Sequence, residues 1–364
     1  MNILLTGGLG YIGSHTAVTL IEAGHEVVLF DNLSNSDASV LGRLEKILNK
    51  KITFIEGDIR DFDLLSKTLK EHKTEAVMHF AGLKAVGESV HDPIRYYDNN
   101  VGGSLSLIRA MQQNKVKKII FSSSATVYGE PQYLPYDEDH PTNPINPYGR
   151  TKLFIEEILR DVATSDSEWS IAVLRYFNPV GAHELGLIGE SPKGKPNNLM
   201  PFIVKVASGE LESLKVFGSD YETRDGTGER DYIHVVDLAE GHLAALKFLK
   251  EHKGWHAINL GSGQSTTVLE LLHAFEKICH KKISYEVIAR REGDTAISYA
   301  KPDLANKVLQ WKTKRSMESM CESAWKFNES NLAWALWTLH RWFYVGDQAP
   351  VSGRFRGQHS QNNF

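Results

Sequence analysis

Cysteine is almost missing from this chain: 364 residues carry two, Cys279 and Cys321. Each stands alone in a helix-like segment with no CxxC spacing, which excludes a disulfide framework and a zinc or redox motif, so no metal is expected. Long apolar runs are missing too, and none approaches the roughly 18 residues of a membrane-spanning helix. Neither sign of charge dominates. There are 41 Lys and Arg against 45 Asp and Glu, a net charge of −4, and no basic cluster of the kind that tracks a phosphate backbone. Nucleic acid and membrane are therefore not expected partners. The opening MNILLTGG lacks a basic stretch followed by an apolar one, which leaves the cytoplasm as the expected compartment. With 41% apolar and 24% charged residues, the chain suits a globular protein of one large core or two modest ones.

Apolar runs of strand length recur at Asn2–Thr6, Glu26–Phe30, Thr53–Glu56, Ala76–His79, Lys118–Ser122 and Ile171–Arg175, with helical patterns between them. Such alternation predicts a parallel sheet with helices on both faces. Runs apolar at nearly every position (ILL, VVLF, KKIIF) fit strands covered on both sides. The expected fold class is α/β, a Rossmann-type doubly wound parallel sheet with a smaller C-terminal α/β substrate-binding domain. The expected division assigns 1–176 plus 232–262 to the first domain, 177–231 plus 263–330 to the second, and 331–364 to a tail. Between Pro179 and Arg230 lies a long irregular stretch rich in glycine and proline, and such insertions are usually functional.

Between the first strand and its helix stands TGGLGYIG, with Gly7, Gly10 and Gly13 spaced G-x-x-G-x-x-G. Missing side chains permit a tight turn, close approach to a pyrophosphate, and tight helix packing. Amide hydrogens at the helix N-terminus can then hold phosphate oxygens. Asp31 ends the second strand, 18 residues beyond Gly13. An acid there bonds ribose hydroxyls and repels a 2′-phosphate, which favours NAD over NADP.

Further on, INPYGRTK puts Asn146 at a helix N-cap and Pro147 at its first position. Tyr148 and Lys152 then lie at i and i+4 on one face. A phenol is a poor base at neutral pH. An adjacent ammonium, helped by the positive charge of an oxidised nicotinamide, is expected to bring its pKa toward the working range. Just ahead, KKIIFSSSATVYG reads as a strand ending in three serines at the carboxyl edge of the sheet, where ligands bind in such folds.

Glycine loop, strand-end serine and Tyr-Lys pair occur together in that order. In sequence order, AGLKAVGESV, YYDNNV, FSSSATVYG, PYGRTK, LRYFNPVGAH, PNNLMP, DGTGERDYIHVVDLA and RREGD resemble the motif series of the UDP-galactose 4-epimerases, within the extended short-chain dehydrogenase/reductase family. The resemblance runs from residue 1 to about 330. It implies NAD-dependent interconversion of UDP-galactose and UDP-glucose: C4 is oxidised, the 4-keto sugar rotates, and C4 is reduced on its other face. It makes Tyr148 the acid-base group, Ser124 the partner of the 4-oxygen, and Lys152 the residue that tunes Tyr148 and holds the nicotinamide ribose. The cofactor contacts it implies are Gly7, Gly10, Tyr11, Ile12, Gly13, Asp31, Asn32, Asn35, Ser36, Phe80, Ala81, Gly82, Lys84, Asn99, Ser122 and Phe177, with Asp58 and Ile59 flanking the adenine. For the UDP-hexose it implies Phe177, Asn178, Asn198, Leu199, Phe217, Arg230, Arg291, Asp294 and Ser298, besides Ser124 and Tyr148. Forked arginine donors match diphosphate oxygens. Family members commonly form homodimers, so a homodimer is expected.

Relatives that eliminate or decarboxylate need an acid beside the serine. Here those positions are Ala125 and Thr126, so epimerisation is expected. Two alternatives remain, a 4-epimerase of another UDP-sugar (glucuronate or pentose) and a silent NAD-binding sensor or scaffold. Ser298, or Tyr299 if the alignment slips by one, stands where the family gates the C2 substituent. A serine there leaves room for an N-acetyl group, so activity on N-acetylated UDP-sugars is also expected. Beyond about Ser330 the resemblance stops, and Trp334, Trp337 and Trp342 crowd the start of a tail. An extra packed helix, a partner-binding element and the product of a reading-frame change all remain open for it.

Overall fold

The computed structural model describes residues 1–345 apart from 195, 197, 292 and 293, and of residues 332–345 the helical backbone alone. The six apolar runs become strands β1 (Asn2–Thr6), β2 (Glu26–Asp31), β3 (Thr53–Glu56), β4 (Ala76–His79), β5 (Lys118–Ser124) and β6 (Ser170–Tyr176). After them come β7 (Asn178–Val180), β8 (Leu214–Phe217), β9 (Glu229–His234), β10 (Gly254–Leu260), β11 (Ser265–Thr267), β12 (Tyr285–Ile288) and β13 (Ile297–Ser298).

The main sheet has the order β10-β6-β5-β4-β1-β2-β3 and is parallel throughout. Successive side chains along a strand point to opposite faces, and here both faces are covered. Ile3 and Leu5 of β1 join Leu29, Met78 and Ile120 in a core that includes Ala17 and Leu20 of the helix Tyr11–Glu22 and Leu238 and Leu246 of the helix Val235–Phe248. Leu4, Val28, Val77, Ile119 and Phe121 face the other way, onto Leu65, Leu107, Ile155 and Leu159. That two-sided burial accounts for the unbroken apolar runs.

A second group of elements has its own core of Met200, Ile203, Val216, Leu271, Phe275 and Cys321. There β9 pairs with β7, β11 and β13, and β12 pairs with β8. Both cysteines are buried in helices. The final helix, Met317–Val345, carries the chain into the tail. The side chains of Trp334, Trp337 and Trp342, and residues 346–364, lie outside the described residues. Among the described residues no helix is long and apolar enough to cross a membrane.

Candidate active site

The strand order reverses at β1, which has β2 on one side and β4 on the other. A crevice at the carboxyl ends of strands at such a switch point is where open α/β sheets bind ligands. The glycine loop lies there. Gly7 adopts φ +68°, and a Cβ on it would stand 2.7 Å from Ala81 N, at the end of β4. A Cβ on Gly13 would stand 2.3 Å from the Gly7 carbonyl oxygen, a backbone atom that cannot swing aside. Gly10 begins the helix Tyr11–Glu22 with no side-chain cap, so its first amides keep donors for an external anion. Tyr11 donates from its hydroxyl to the Gly181 carbonyl at 2.7 Å, and Ile12 is partly buried beside it. These residues fit a dinucleotide pyrophosphate.

Asp31 ends β2 and organises the same loop. Its carboxylate accepts from Leu9 N at 3.1 Å, Leu33 N at 2.9 Å and Ser36 Oγ at 2.8 Å. Asn35 is exposed nearby in sequence. Asn32 donates to Asp58 at 3.1 Å, and Asp58 also pairs with Arg60 at 2.9 Å. The Arg60 guanidinium holds the Asp58 carboxyl down to about 2. Ile59 turns into the core against Gly103.

Tyr148, Lys152 and Ser124 converge as the sequence predicts. Asn146 caps the helix Pro147–Ser165, accepting from Gly149 N at 2.9 Å, with Pro147 in the first turn. Ser124 ends β5, accepts from Thr126 N at 3.2 Å and Thr126 Oγ1 at 2.9 Å, and neighbours Tyr148, whose phenolate it favours. Lys152 Nζ lies 5.9 Å from the centre of the Tyr148 ring and donates to the Ser122 carbonyl at 2.6 Å.

Among the chain's own groups, burial raises the Tyr148 pKa, and the neighbouring Ser124 hydroxyl offsets this only in part. The same burial takes Lys152 down to about 8, because a low-dielectric pocket disfavours a phenolate and an ammonium alike.

Around this centre, Phe80 packs on His242 with ring centres 4.9 Å apart. Ala81 N donates to the Thr6 carbonyl at 3.1 Å, and a Cβ on Gly82 would lie 3.8 Å from Lys152 Nζ. Asn99 donates to Asn100 Oδ1 at 2.9 Å. Lys84 is tied to Glu190 at 3.0 Å.

On the other side, Phe177 is buried and Asn178 opens β7. Asn198 precedes the helix Leu199–Ser208, in which Leu199 packs on the second core. Arg230 and Arg291 meet on one carboxylate, at 2.8 Å and 3.0 Å from opposite oxygens of Asp294. Arg230 is further held by the Glu229 carbonyl at 2.9 Å, and Arg291 lies 5.4 Å from the Phe217 ring centre. Ser298 on β13 stands opposite Arg230 on β9.

Sequence reasoning missed two residues here. Glu190 Oε1 accepts from both Lys84 Nζ at 3.0 Å and Asn198 Nδ2 at 2.6 Å, joining a predicted cofactor contact to a predicted substrate contact. Its position inside the irregular stretch is the signal that was available. Asn100 is buried and clamps the loop after β4: it accepts from Leu83 N at 2.8 Å, and its Nδ2 donates to the Leu83 carbonyl and to Thr151 Oγ1, each at 3.0 Å. The neighbouring Asn99 gave no hint of which asparagine does this. Among the described residues no group of three potential metal ligands exists.

The chain is 54% identical over 332 residues to the UDP-glucose 4-epimerase of Bacillus subtilis, covering 91% of this chain and 98% of that one. A crystal structure of UDP-glucose 4-epimerase from Bifidobacterium longum, in complex with NAD+ and UDP, superposes with a TM-score of 0.89 at 49% identity, covering 91% of this chain and 99% of the other. That of the Stenotrophomonas maltophila enzyme, with NAD and formylated UDP-arabinopyranose bound, gives 0.90 at 48% identity, covering 92% and 99%. Residues 3–261, which hold the glycine loop, the strand-end serines and the Tyr-Lys pair, match the model of one family, and the chain belongs to it: the NAD dependent epimerase/dehydratase family.

Proposed function

We propose that this chain interconverts UDP-galactose and UDP-glucose by redox-neutral 4-epimerisation. The observation that carries the reading is the meeting of Ser124, Tyr148 and Lys152 at the switch-point crevice, in a chain half identical to UDP-glucose 4-epimerases. Bound NAD supplies the acceptor, and then the donor, of the C4 hydride. Ser124 holds the 4-oxygen while Tyr148 takes its proton, so that the carbon can become a ketone. Lys152 stabilises the Tyr148 phenolate that accepts this proton and holds the cofactor ribose. The 4-keto sugar then turns over within the site, and Tyr148 returns its proton to the oxygen on the opposite side.

The residues beside Ser124 support this over elimination. Ala125 and Thr126 begin a short 3-10 helix, and the Thr126 hydroxyl is spent on Ser124, so that neither supplies a carboxylic acid to protonate a leaving hydroxyl. On the substrate side, Arg230 and Arg291 take the diphosphate and Asp294 keeps them aimed between turnovers. Residues 1–176 plus 232–262 form the NAD domain, and 177–231 plus 263–330 the nucleotide-sugar domain. The chain pairs as a cytoplasmic homodimer, a reading supported by exposed Val90, Ile94, Leu105 and Phe154 on helices of the NAD domain.

With UDP-galactose and catalytic NAD, UDP-glucose should accumulate with no net NADH; NADH build-up, or no product, would overturn the reading. Ser298 leaves room at the C2 substituent, so UDP-N-acetylgalactosamine is also a substrate. Ser298→Tyr is expected to cut N-acetyl turnover about tenfold or more while leaving UDP-galactose turnover within about threefold. Assaying both sugars with one preparation checks this, and equal losses on both would sink the assignment.

A further inference from the structure

Positions 148, 152 and 156 of the helix Pro147–Ser165 follow one another at i, i+4 and i+8 and so share a face. That face docks on three consecutive residues of β5. Ser124 neighbours Tyr148, the Ser122 carbonyl accepts from Lys152, and Ser123 Oγ donates to Glu156 Oε1 at 2.5 Å. The first two contacts hold the reacting pair; the third takes part in no step of the reaction.

Glu156 is fully buried, and so is Arg175 on β6, opposite Ser123 in the strand register. Arg175 donates to both carboxylate oxygens, Nε at 3.2 Å and Nη2 at 2.7 Å. Its Nη1 donates to the Tyr128 hydroxyl at 3.0 Å, which donates in turn to Asn259 of β10 at 2.7 Å. One carboxylate thus ties the helix to β5, β6 and β10. An apolar pair of similar volume would hold a helix on a sheet as well as a buried ion pair does, since desolvation cancels most of the ionic gain. Fastening alone therefore does not account for charges at this spot.

We infer that Glu156 is a positioning residue: with Arg175 it fixes the helix bearing Tyr148 and Lys152 in register against the ends of β5 and β6, and it sets a buried carboxylate one helical turn beyond Lys152. The inference rests on the reading of Tyr148 and Lys152 as the reacting pair. Burial lowers Lys152 to about 8, and Glu156 opposes that shift. Also facing Lys152 are His79 of β4, which burial holds neutral with a pKa near 3, Tyr148 on the same helix, and the Phe121 ring of β5 at 4.9 Å. Arg175 of β6 is paired with Glu156. A step that needs the ammonium is lost as pH rises through the Lys152 pKa, and losing a nearby anion moves that limb down.

The test compares NAD-loaded wild type, Glu156→Gln and the double variant Glu156→Gln with Arg175→Met, following kcat and KM for UDP-galactose across pH. Glu156→Gln should lower kcat about tenfold with KM within about twofold, and move the alkaline limb about one pH unit lower. Glu156→Asp, which keeps the charge, should restore the limb. If Glu156→Gln alone does not fold, the double variant, which buries no lone charge, carries the same expected fall in kcat, with a smaller shift of the limb because the Arg175 cation is lost too. Wild-type kcat and an unmoved limb in the double variant would overturn the inference, as would a fall in melting temperature alone. A 13Cε NMR titration of Lys152, assigned with Lys152→Ala, needs no turnover. A silent wild type would fail the proposed function, whereas a Lys152 midpoint unmoved by Glu156→Gln would fail this inference.

Discussion

Tyr148→Phe is expected to lower kcat for UDP-galactose by about a thousandfold while leaving the affinity of the NAD-loaded protein for UDP within about twofold. The substitution deletes one oxygen from a side chain whose backbone is fixed independently: Tyr148 N donates to Ser89 Oγ at 3.2 Å, and the helix start is held by Asn146. Position and packing should survive. What is lost is the group that moves the proton of the 4-hydroxyl. Ser124 cannot replace it, because a serine hydroxyl has no ionised form near neutral pH and Lys152 is hydrogen-bonded to the Ser122 carbonyl. Steady-state kinetics with titration calorimetry of UDP checks both halves. A variant that keeps more than about a tenth of wild-type kcat would remove Tyr148 from the chemistry.

Arg230→Met should weaken UDP binding about a hundredfold or more, from the loss of two charge-assisted hydrogen bonds at roughly 1.5–3 kcal/mol each. Arg230 should matter more than Arg291. Its side chain is 18% exposed against 56% for Arg291, and the Glu229 carbonyl and Asp294 hold its guanidinium in advance. Less freedom is therefore lost when it takes a diphosphate, and the ligand contact is better shielded from water. Arg291→Met should cost about tenfold by the same calorimetry. In both variants kcat at saturating sugar should stay within about threefold, since neither side chain lies at the reacting carbon. If Arg230→Met leaves UDP affinity unchanged, the paired arginines are a structural ion cluster on Asp294 and the diphosphate lies elsewhere.

Much of this was legible in the sequence because it rests on local rules. Each main-sheet strand through β6 is an apolar run, and Asn146-Pro147 fixes where the reacting helix begins and hence which residues share its face. The glycine spacing reports a backbone clash that can be stated atom by atom, at Gly13 against Gly7. What was not legible depends on contacts between distant segments. Glu190 meets Lys84 across 106 residues and Glu156 meets Arg175 across 19, and no periodicity announces either. The raised Tyr148 phenol was not legible for a related reason: the lysine one turn away is visible in sequence, whereas the burial that raises the phenol is a property of the assembled crevice.

The most direct test is a proton NMR time course on UDP-galactose carrying deuterium at C4, with the purified protein and a catalytic amount of NAD. UDP-glucose should appear to a fixed ratio with deuterium still on C4, no C4 proton signal gained from water, and no net NADH. Product carrying a solvent proton at C4 would contradict hydride removal and return at a single carbon, and unchanged UDP-galactose in a protein that binds NAD and UDP would contradict the reaction itself.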